Sequence, residues 1–255
     1  MPWDPRQYGK FRDERSRPFL DLVARVPDRP FGRIVDLGSG TGELTRSLLD
    51  RWPESRIWGV DLSPEMLSEA RSRAIPGRLE FVQGDLATWK PETPPDLVVS
   101  NAALQWVPDH SRLLPGLLGS LAPGGVLAVQ VPANQASPSH TLILELAQER
   151  PWRARLEGRW RPHGVEPLGW YVETLLGLGA RVEAWETTYV HVLGGPDPVL
   201  EWLKGTALRP ILAVLGEEGR GFLEALGPRL AAAYPAGPRG TLFPFRRLFF
   251  VAGAS

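Results

Sequence analysis

The chain runs to 255 residues, 43% of them hydrophobic, with a formal net charge of +0. That length suits one large α/β domain or a core with a small cap, and that apolar share is enough for a buried core. Zero net charge leaves no chain-wide electrostatic footprint for nucleic acid; the absence of cysteine excludes disulfides, thiolate catalysis and Cys-based zinc sites; and no apolar run approaches the roughly 20 residues that span a bilayer.

The opening residues MPWDPRQYGKF hold no apolar signal core, so a cytoplasmic protein is expected. Residues 1–31 read as an arm followed by a helix, with Phe19, Leu20, Val23 and Val26 on one helical face. RIVDL (33–37) is a short apolar run ending in a glycine loop, the pattern of a buried parallel strand. ELTRSLLDRW (43–52) is helical, RIWGVD (56–61) is a strand, and SPEMLSEARSR (63–73) is a helix capped by Ser63 with Pro64 in its first turn. RLEFVQGD (78–85) and PDLVVSN (95–101) are strands, HSRLLPGLLGSLAPGG (110–125) is a helix closed by Pro-Gly-Gly, and VLAVQV (126–131) is a strand. Strand and helix alternate roughly every 20–25 residues, which predicts an α/β fold with a doubly wound, mostly parallel sheet.

Beyond Pro132 the rhythm changes. SHTLILELAQ (139–148) is helical, whereas RPWRARLEGRWRPHGVEP (150–167) has no period and reads as loop. YVETLLGLGARVEAWETTYVHV (171–192) reads as helix then strand. Residues 197–234 carry two or three helical segments that suggest an insertion above the sheet, and TLFPFRRLFFVAG (241–253) closes the chain as a strand.

The glycine loop VDLGSGTGEL (35–44) carries the chemistry. Gly38, Gly40 and Gly42 permit positive φ and close approach of a ligand to the backbone. The spacing is neither G-x-G-x-x-G nor a phosphate-binding Gly-Lys-Ser/Thr loop. Glu43 at the helix entry would repel a pyrophosphate, so a cationic or phosphate-free ligand fits better; a simple tight turn is the plain alternative. Asp61 ends the second strand, where an acid accepts hydrogen bonds from ribose hydroxyls. Leu62 and Met66 can pack on a flat ring, and Asp85 can accept from an exocyclic amine or simply hold a turn. Asp36, the Gly38 loop, Asp61, Asp85 and Asn101 would share the carboxyl edge of one parallel sheet, where such folds bind ligands.

The segments VDLGSGTGELTRSL, GVDLSPEMLSEAR, FVQGDLATW and DLVVSNAALQWVPD, across about residues 33–131, resemble the successive motifs of class I S-adenosylmethionine-dependent methyltransferases. That resemblance implies a Rossmann-like, seven-stranded sheet whose last strand, about 243–251, is antiparallel. It implies S-adenosyl-L-methionine as cofactor, leaving as S-adenosyl-L-homocysteine. Gly38, Ser39, Gly40 and Gly42 would cradle the methionine part, Asp61 would hold the ribose and Asp85 with Leu86 would border the adenine, while Asp36 at the same edge and Leu62 and Met66 against the adenine face complete the expected cofactor site. Asn101 would border the methionine end, and Gln105 with Trp106 would form the wall between cofactor and substrate. The expected organisation is one methyltransferase domain over 1–255: an N-terminal arm and lid helix (1–31), a cofactor-binding core (32–132), substrate-side helices and an insertion (133–240) and a closing strand (241–255).

WDPRQYGKFRDERSRPFLDLVARVP, LQWVPDH, GVLAVQVPAN, TTYVH, ALRPIL and RRLFFVA extend the resemblance towards members that esterify one carboxyl of a small polycarboxylate such as trans-aconitate; the stretch at 150–168 departs from them. A carboxylate is already ionised at neutral pH, so no general base is required. Arginine forks should bind the remaining carboxylates. The candidates are Arg15, Arg17, Arg209, Arg246 and Arg247, each of which could equally be solvated or paired. Arg247 stands out because it interrupts an apolar strand. Trp3, Tyr8 and Phe11 suggest a lid, Trp106 and Tyr171 aromatic walls, while Ala102 and Leu104 read as packing. His110 reads as a cap or hydrogen-bond donor, with a base as the alternative. No cluster has metal-ligand spacing, so no metal is expected. The partner expected is a small carboxylate substrate, with no nucleic acid or membrane, acting on a monomer. The rival readings are a methyltransferase for malonyl-carrier protein, docked by Arg150, Arg153, Arg155, Arg159 and Arg161, another small-molecule methyltransferase, and a non-catalytic cofactor-binding subunit.

Overall fold

The structure, a computed structural model, describes residues 12–160 and 164–254, with side chains from Ser16 onward. Helix α1 (Arg12–Ala24) precedes strand β1 (Arg33–Leu37), helix α2 (Glu43–Arg51), strand β2 (Arg56–Asp61), helix α3 (Pro64–Ala70), strand β3 (Leu79–Gln83) and strand β4 (Leu97–Asn101). A single 3-10 turn (Leu104–Trp106) leads into helix α4 (His110–Gly119), strand β5 (Val126–Pro132), helix α5 (Pro138–Gln148) and the short helix α6 (Arg153–Leu156). Helix α7 (Leu168–Gly177) and strand β6 (Arg181–Leu193) follow, then helices α8 (Pro198–Lys204), α9 (Arg209–Leu215) and α10 (Gly219–Ala233), the two-residue β7 (Ala236–Gly237) and strand β8 (Gly240–Gly253).

The strand order is β3-β2-β1-β4-β5-β8-β6, with β7 hydrogen-bonded to β8. β1 to β5 pair in parallel, and β8 runs antiparallel between β5 and β6. This is the doubly wound, Rossmann-like class I arrangement expected from the alternation, with the closing strand antiparallel as the resemblance implied. The order reverses between β1 and β4, which opens a crevice beyond the carboxyl ends of these strands.

The apolar alternation of the strands feeds two clusters. Val98, Leu127, Val129 and Phe250 face one way, under α4 and α7. Ile34, Leu97, Val99 and Ala128 face the other, under α1, α2 and α3, where Phe19 and Leu22 are almost fully buried. Each valine, leucine, isoleucine or phenylalanine among them contributes roughly 1.5–3 kcal/mol. A third cluster joins α5, α8, α9 and α10 to Leu193, Phe243 and Phe245 at the open end of β6 and β8. The helices between the two late strands therefore have their own core, centred on Trp202 and Phe222, and stand at the end of the sheet that carries the crevice.

Several elements differ from expectation. The helix begun at His110 stops at Gly119, because Gly124 takes φ 70° and Gly125 N–H bonds back to Ala122 O in a turn. The helix after Ser63 tightens into a 3-10 turn at Arg71–Arg73. The stretch 150–167 is not wholly loop: it contains α6, pinned by buried Leu156 and by Trp152 edge-on to Phe222 at 5.3 Å. Periodicity cannot reveal a helix of one turn, which tertiary packing alone supports. Among the described residues no helix is long and apolar enough to cross a membrane.

Candidate functional site

At the end of β1 the chain turns sharply. Gly38 N–H and Ser39 N–H both donate to Val60 O of β2, at 2.8 and 3.0 Å. Gly38 has φ 86°, and a Cβ there would lie 2.2 Å from Ala103 Cβ, so only glycine fits. Gly40, at φ 55°, has nothing within 4 Å of a notional Cβ: its open side is the crevice. Asp61 ends β2 and grips this loop. Its carboxylate accepts Gly40 N–H at 2.8 Å and Ser63 N–H at 2.9 Å. Burial raises the Asp61 pKa, and the bonds from Ser63 and Gly40 oppose that rise.

A cleft of about 350 Å³ opens over this turn. Gly38, Gly40 and Asp61 form one wall, Leu62, Met66, Asp85 and Leu86 a largely apolar second, and Asn101, Trp106 and Val107 the far side. Asn101 ends β4 with its buried Oδ1 lacking any hydrogen-bond partner. Arg209, Pro210 and Ala213 bring α9 over the opening. The residues expected from the carboxyl edge of β1 to β4 are thus largely brought together. Ala102, expected as packing, lines the cleft as well, at φ 53°. Ala103 and Val107 also line it, and nothing in their residue types marked them.

Other expected residues lie elsewhere. Asp36 is buried beneath the loop and accepts from Thr45 Oγ1 at 2.6 Å. Ser39 is buried with its Oγ unpartnered, and a Cβ on Gly42 would strike the Phe81 ring, so neither lines the cleft. Gln105, expected at the cofactor, instead lines a second cavity of about 70 Å³ with Asn134, His140 and Trp160, because the 3-10 turn rotates it away from its neighbour Trp106. Tyr171, expected at the substrate, is fully buried in the core beneath α7 and outside the cleft lining, stacked on Phe250 at 5.2 Å. The α7 helix begins at Leu168 rather than at Tyr171, and this register turns the ring into the core. Its hydroxyl meets His110 Nδ1 at 2.6 Å and accepts Glu166 N–H, while His110 Nε2 faces Leu104 O at 2.8 Å. His110 therefore joins two core elements and is not among the residues that line the cleft. Arg246 is paired with Glu186 at the surface and Arg17 is exposed. Arg247 is buried and donates from Nη1 to Gln130 Oε1 at 3.1 Å. Trp3, Tyr8, Phe11, Arg161 and the side chain of Arg15 lie outside the described residues.

Burial pushes the Asp36 pKa from 3.8 up to about 7; the Thr45 hydrogen bond opposes this and the Asp61 charge adds to it. The unfolded chain loses this proton first, so folding stability is highest below about pH 4 for this group and declines as pH rises towards 7. Asp36→Asn, which keeps an acceptor for Thr45, should flatten that decline. Denaturant titrations of both proteins from pH 4 to 8 check it, and parallel pH profiles would exclude the assignment.

The cleft combines acceptors with a cation. Asp61 and Asn101 Oδ1 suit hydroxyl and ammonium donors, the apolar wall suits a flat ring, and Arg209 suits an anion. A methyltransferase-domain family model matches residues 34–125, which hold this lining apart from Arg209, Pro210 and Ala213. The trans-aconitate 2-methyltransferase of Streptomyces avermitilis is 51% identical over 98% of this chain and 96% of its own. That of Azoarcus sp. is 47% identical over 99% of both chains. Among solved structures, an S-adenosylmethionine-dependent methyltransferase from Mesorhizobium loti superposes with a TM-score of 0.54 at 21% identity, covering 92% of this chain and 96% of its own, a likeness of fold. By its identity along nearly the whole length of such relatives, the chain belongs to the trans-aconitate 2-methyltransferase family of class I methyltransferases.

Proposed function

We propose that the protein transfers a methyl group from S-adenosylmethionine to one carboxylate of trans-aconitate, giving a monomethyl ester. The observation that carries this reading is that one cleft is lined by Asp61 and Asn101 together with Arg209. The full-length similarity to trans-aconitate 2-methyltransferases names the substrate, and it favours a small polycarboxylate over a carrier protein. Of the basic side chains that a carrier would use, Arg155 is already paired with Glu218.

The cofactor fits the residues present. Asn101 Oδ1 is a buried acceptor without a donor, and the open face of Gly40 leaves room against the backbone. Asp61 would take the ribose hydroxyls, with Leu62, Met66 and Leu86 against the adenine. When bound, S-adenosylmethionine supplies an electrophilic methyl group on a sulfonium. The chain's own residues then orient and dehydrate. Trp106 and Val107 shield the centre of the cleft, and Arg209 draws the anionic substrate beneath α9. No proton has to move, since the attacking carboxylate is ionised at neutral pH.

His110→Ala should accordingly change the turnover number by less than about threefold, while losing roughly 1–3 kcal/mol of stability through its two buried hydrogen bonds. Steady-state rates and thermal melting check both, and a rate loss of about 100-fold would restore His110 as a base. Labelled S-adenosylmethionine tests the function itself against trans-aconitate, cis-aconitate, isopropylmalate, malonyl-carrier protein and a phenol. Preferred labelling of trans-aconitate is expected, and labelling of the carrier protein or the phenol alone would overturn the reading.

A further inference from the structure

Four polar side chains are buried towards the end of the sheet that carries the crevice. Gln130 is 0% exposed, Arg247 4%, His191 5% and Gln105 6%. Their connections run through the backbone. Gln130 pairs in register with Asn101, a cleft residue, and its carbonyl accepts Ala102 N–H. The carbonyl of Ala102 in turn accepts from Gln105 Nε2. Arg247, opposite Pro132 on one side and Thr187 on the other, reaches back to Gln130 Oε1 and lies over the Phe245 ring at 4.9 Å. His191 projects from the same sheet face as Arg247 and stacks on Trp202 at 4.7 Å.

Polar groups left without partners in a core cost roughly 1–3 kcal/mol each, so a cluster of them calls for a ligand. Gln130 Nε2 and His191 Nε2 are both buried without a partner. The orientation of the Gln130 amide is decided by chemistry: a guanidinium only donates, so the atom facing Arg247 must be the oxygen, and the orphan must be the donor. The orphans thus divide by type. Acceptors, Asn101 Oδ1 and Gln105 Oε1, belong to the stretch that follows β4 beside the cofactor residues. The donor Gln130 Nε2 stands beside the buried cation Arg247. Burial and the nearby positive charge of Arg247 hold His191 neutral, with its pKa lowered to about 4, so its ring can present a single N–H.

We propose that this layer is the subsite for a carboxylate of the substrate that is not methylated, received by Gln130 Nε2 and Arg247 with His191 at its far end. The inference rests on the polycarboxylate reading above and deepens it, because it makes Gln130 a determinant of specificity for a second negative charge.

Two variants of Gln130 separate a binding role from a structural one. Gln130→Met keeps the volume and removes both polar atoms. Gln130→Glu keeps the bond to Arg247 but sets a like charge against the ligand. Calorimetric titration of trans-aconitate onto the protein saturated with S-adenosylhomocysteine should show affinity at least about tenfold weaker for Gln130→Met and weaker still for Gln130→Glu, with S-adenosylhomocysteine affinity unchanged. A structural role predicts the reverse order, with Gln130→Glu close to the wild type, and that result would overturn the proposal. Should Gln130→Met fail to fold, Gln130→Glu alone decides, since wild-type affinity in it excludes the subsite. Tight binding of trans-aconitate without methyl transfer by the wild type would remove the proposed function and keep the subsite. Methyl transfer with wild-type KM in both variants would keep the function and remove the subsite, and no binding by the wild type would remove both.

Discussion

Asp61→Ala is expected to weaken cofactor affinity by about 1.5–3 kcal/mol, roughly 10- to 150-fold, the range for hydrogen bonds to a charged group. The carboxylate has two tasks in the structure. It faces the cleft, where ribose hydroxyls would donate to it, and it holds Gly40 and Ser63 through their backbone N–H groups. Removing it leaves two inward-facing donors unpaired and frees the glycine loop, so the expected loss lies towards the upper end of that range. Calorimetry with S-adenosylhomocysteine measures it, alongside circular dichroism to show that the sheet is intact. Undiminished affinity would take Asp61 out of the ribose contact and leave it as a loop anchor.

Arg247→Met is expected to raise KM for trans-aconitate by about 30- to 150-fold, corresponding to roughly 2–3 kcal/mol for a truncated charge pair, with turnover and cofactor affinity near those of the wild type. Stability should change little, because two effects oppose each other. A buried guanidinium gives way to an apolar chain beside Phe245 and Phe249, which is often neutral or favourable. Gln130 Oε1 loses its donor, which costs roughly 1–3 kcal/mol. Saturation kinetics in both substrates, with a melting curve, separate these contributions. An unaltered KM would make Arg247 a structural cation that holds Gln130.

The strands and helices up to β5 were legible because each satisfies a local rule. RIVDL is apolar and β-branched, Ser63 caps a helix that opens with Pro64, and the glycines break the chain where strand hands over to helix. Past Pro132 the local signal thins. α6 has one buried residue, Leu156, and although arginine, alanine and leucine favour a helix, a single turn is too short to hold alone and depends on docking on the cap cluster. Tyr171 and Gln105 show the same limit in the site. Both are residue types suited to a ligand wall, yet the direction of a side chain depends on the register of its helix or turn, and a shift of one or two residues exchanges cleft for core.

Residue order alone determined the alternation of strand and helix, and with it the carboxyl edge that holds the Gly38 loop, Asp61, Asp85 and Asn101, since these groups end consecutive parallel strands wherever the sheet is formed. Which polar groups meet a ligand was decided by tertiary structure. β8 inserts antiparallel between β5 and β6 and thereby sets Arg247 beside Gln130 and on the same face as His191, groups far apart along the chain. The α4–α7 contact carries His110 into the core, against Tyr171. The physical reason is that a strand's alternation says which residues share a face, while only the pairing of distant strands and the helices laid over them say what that face meets.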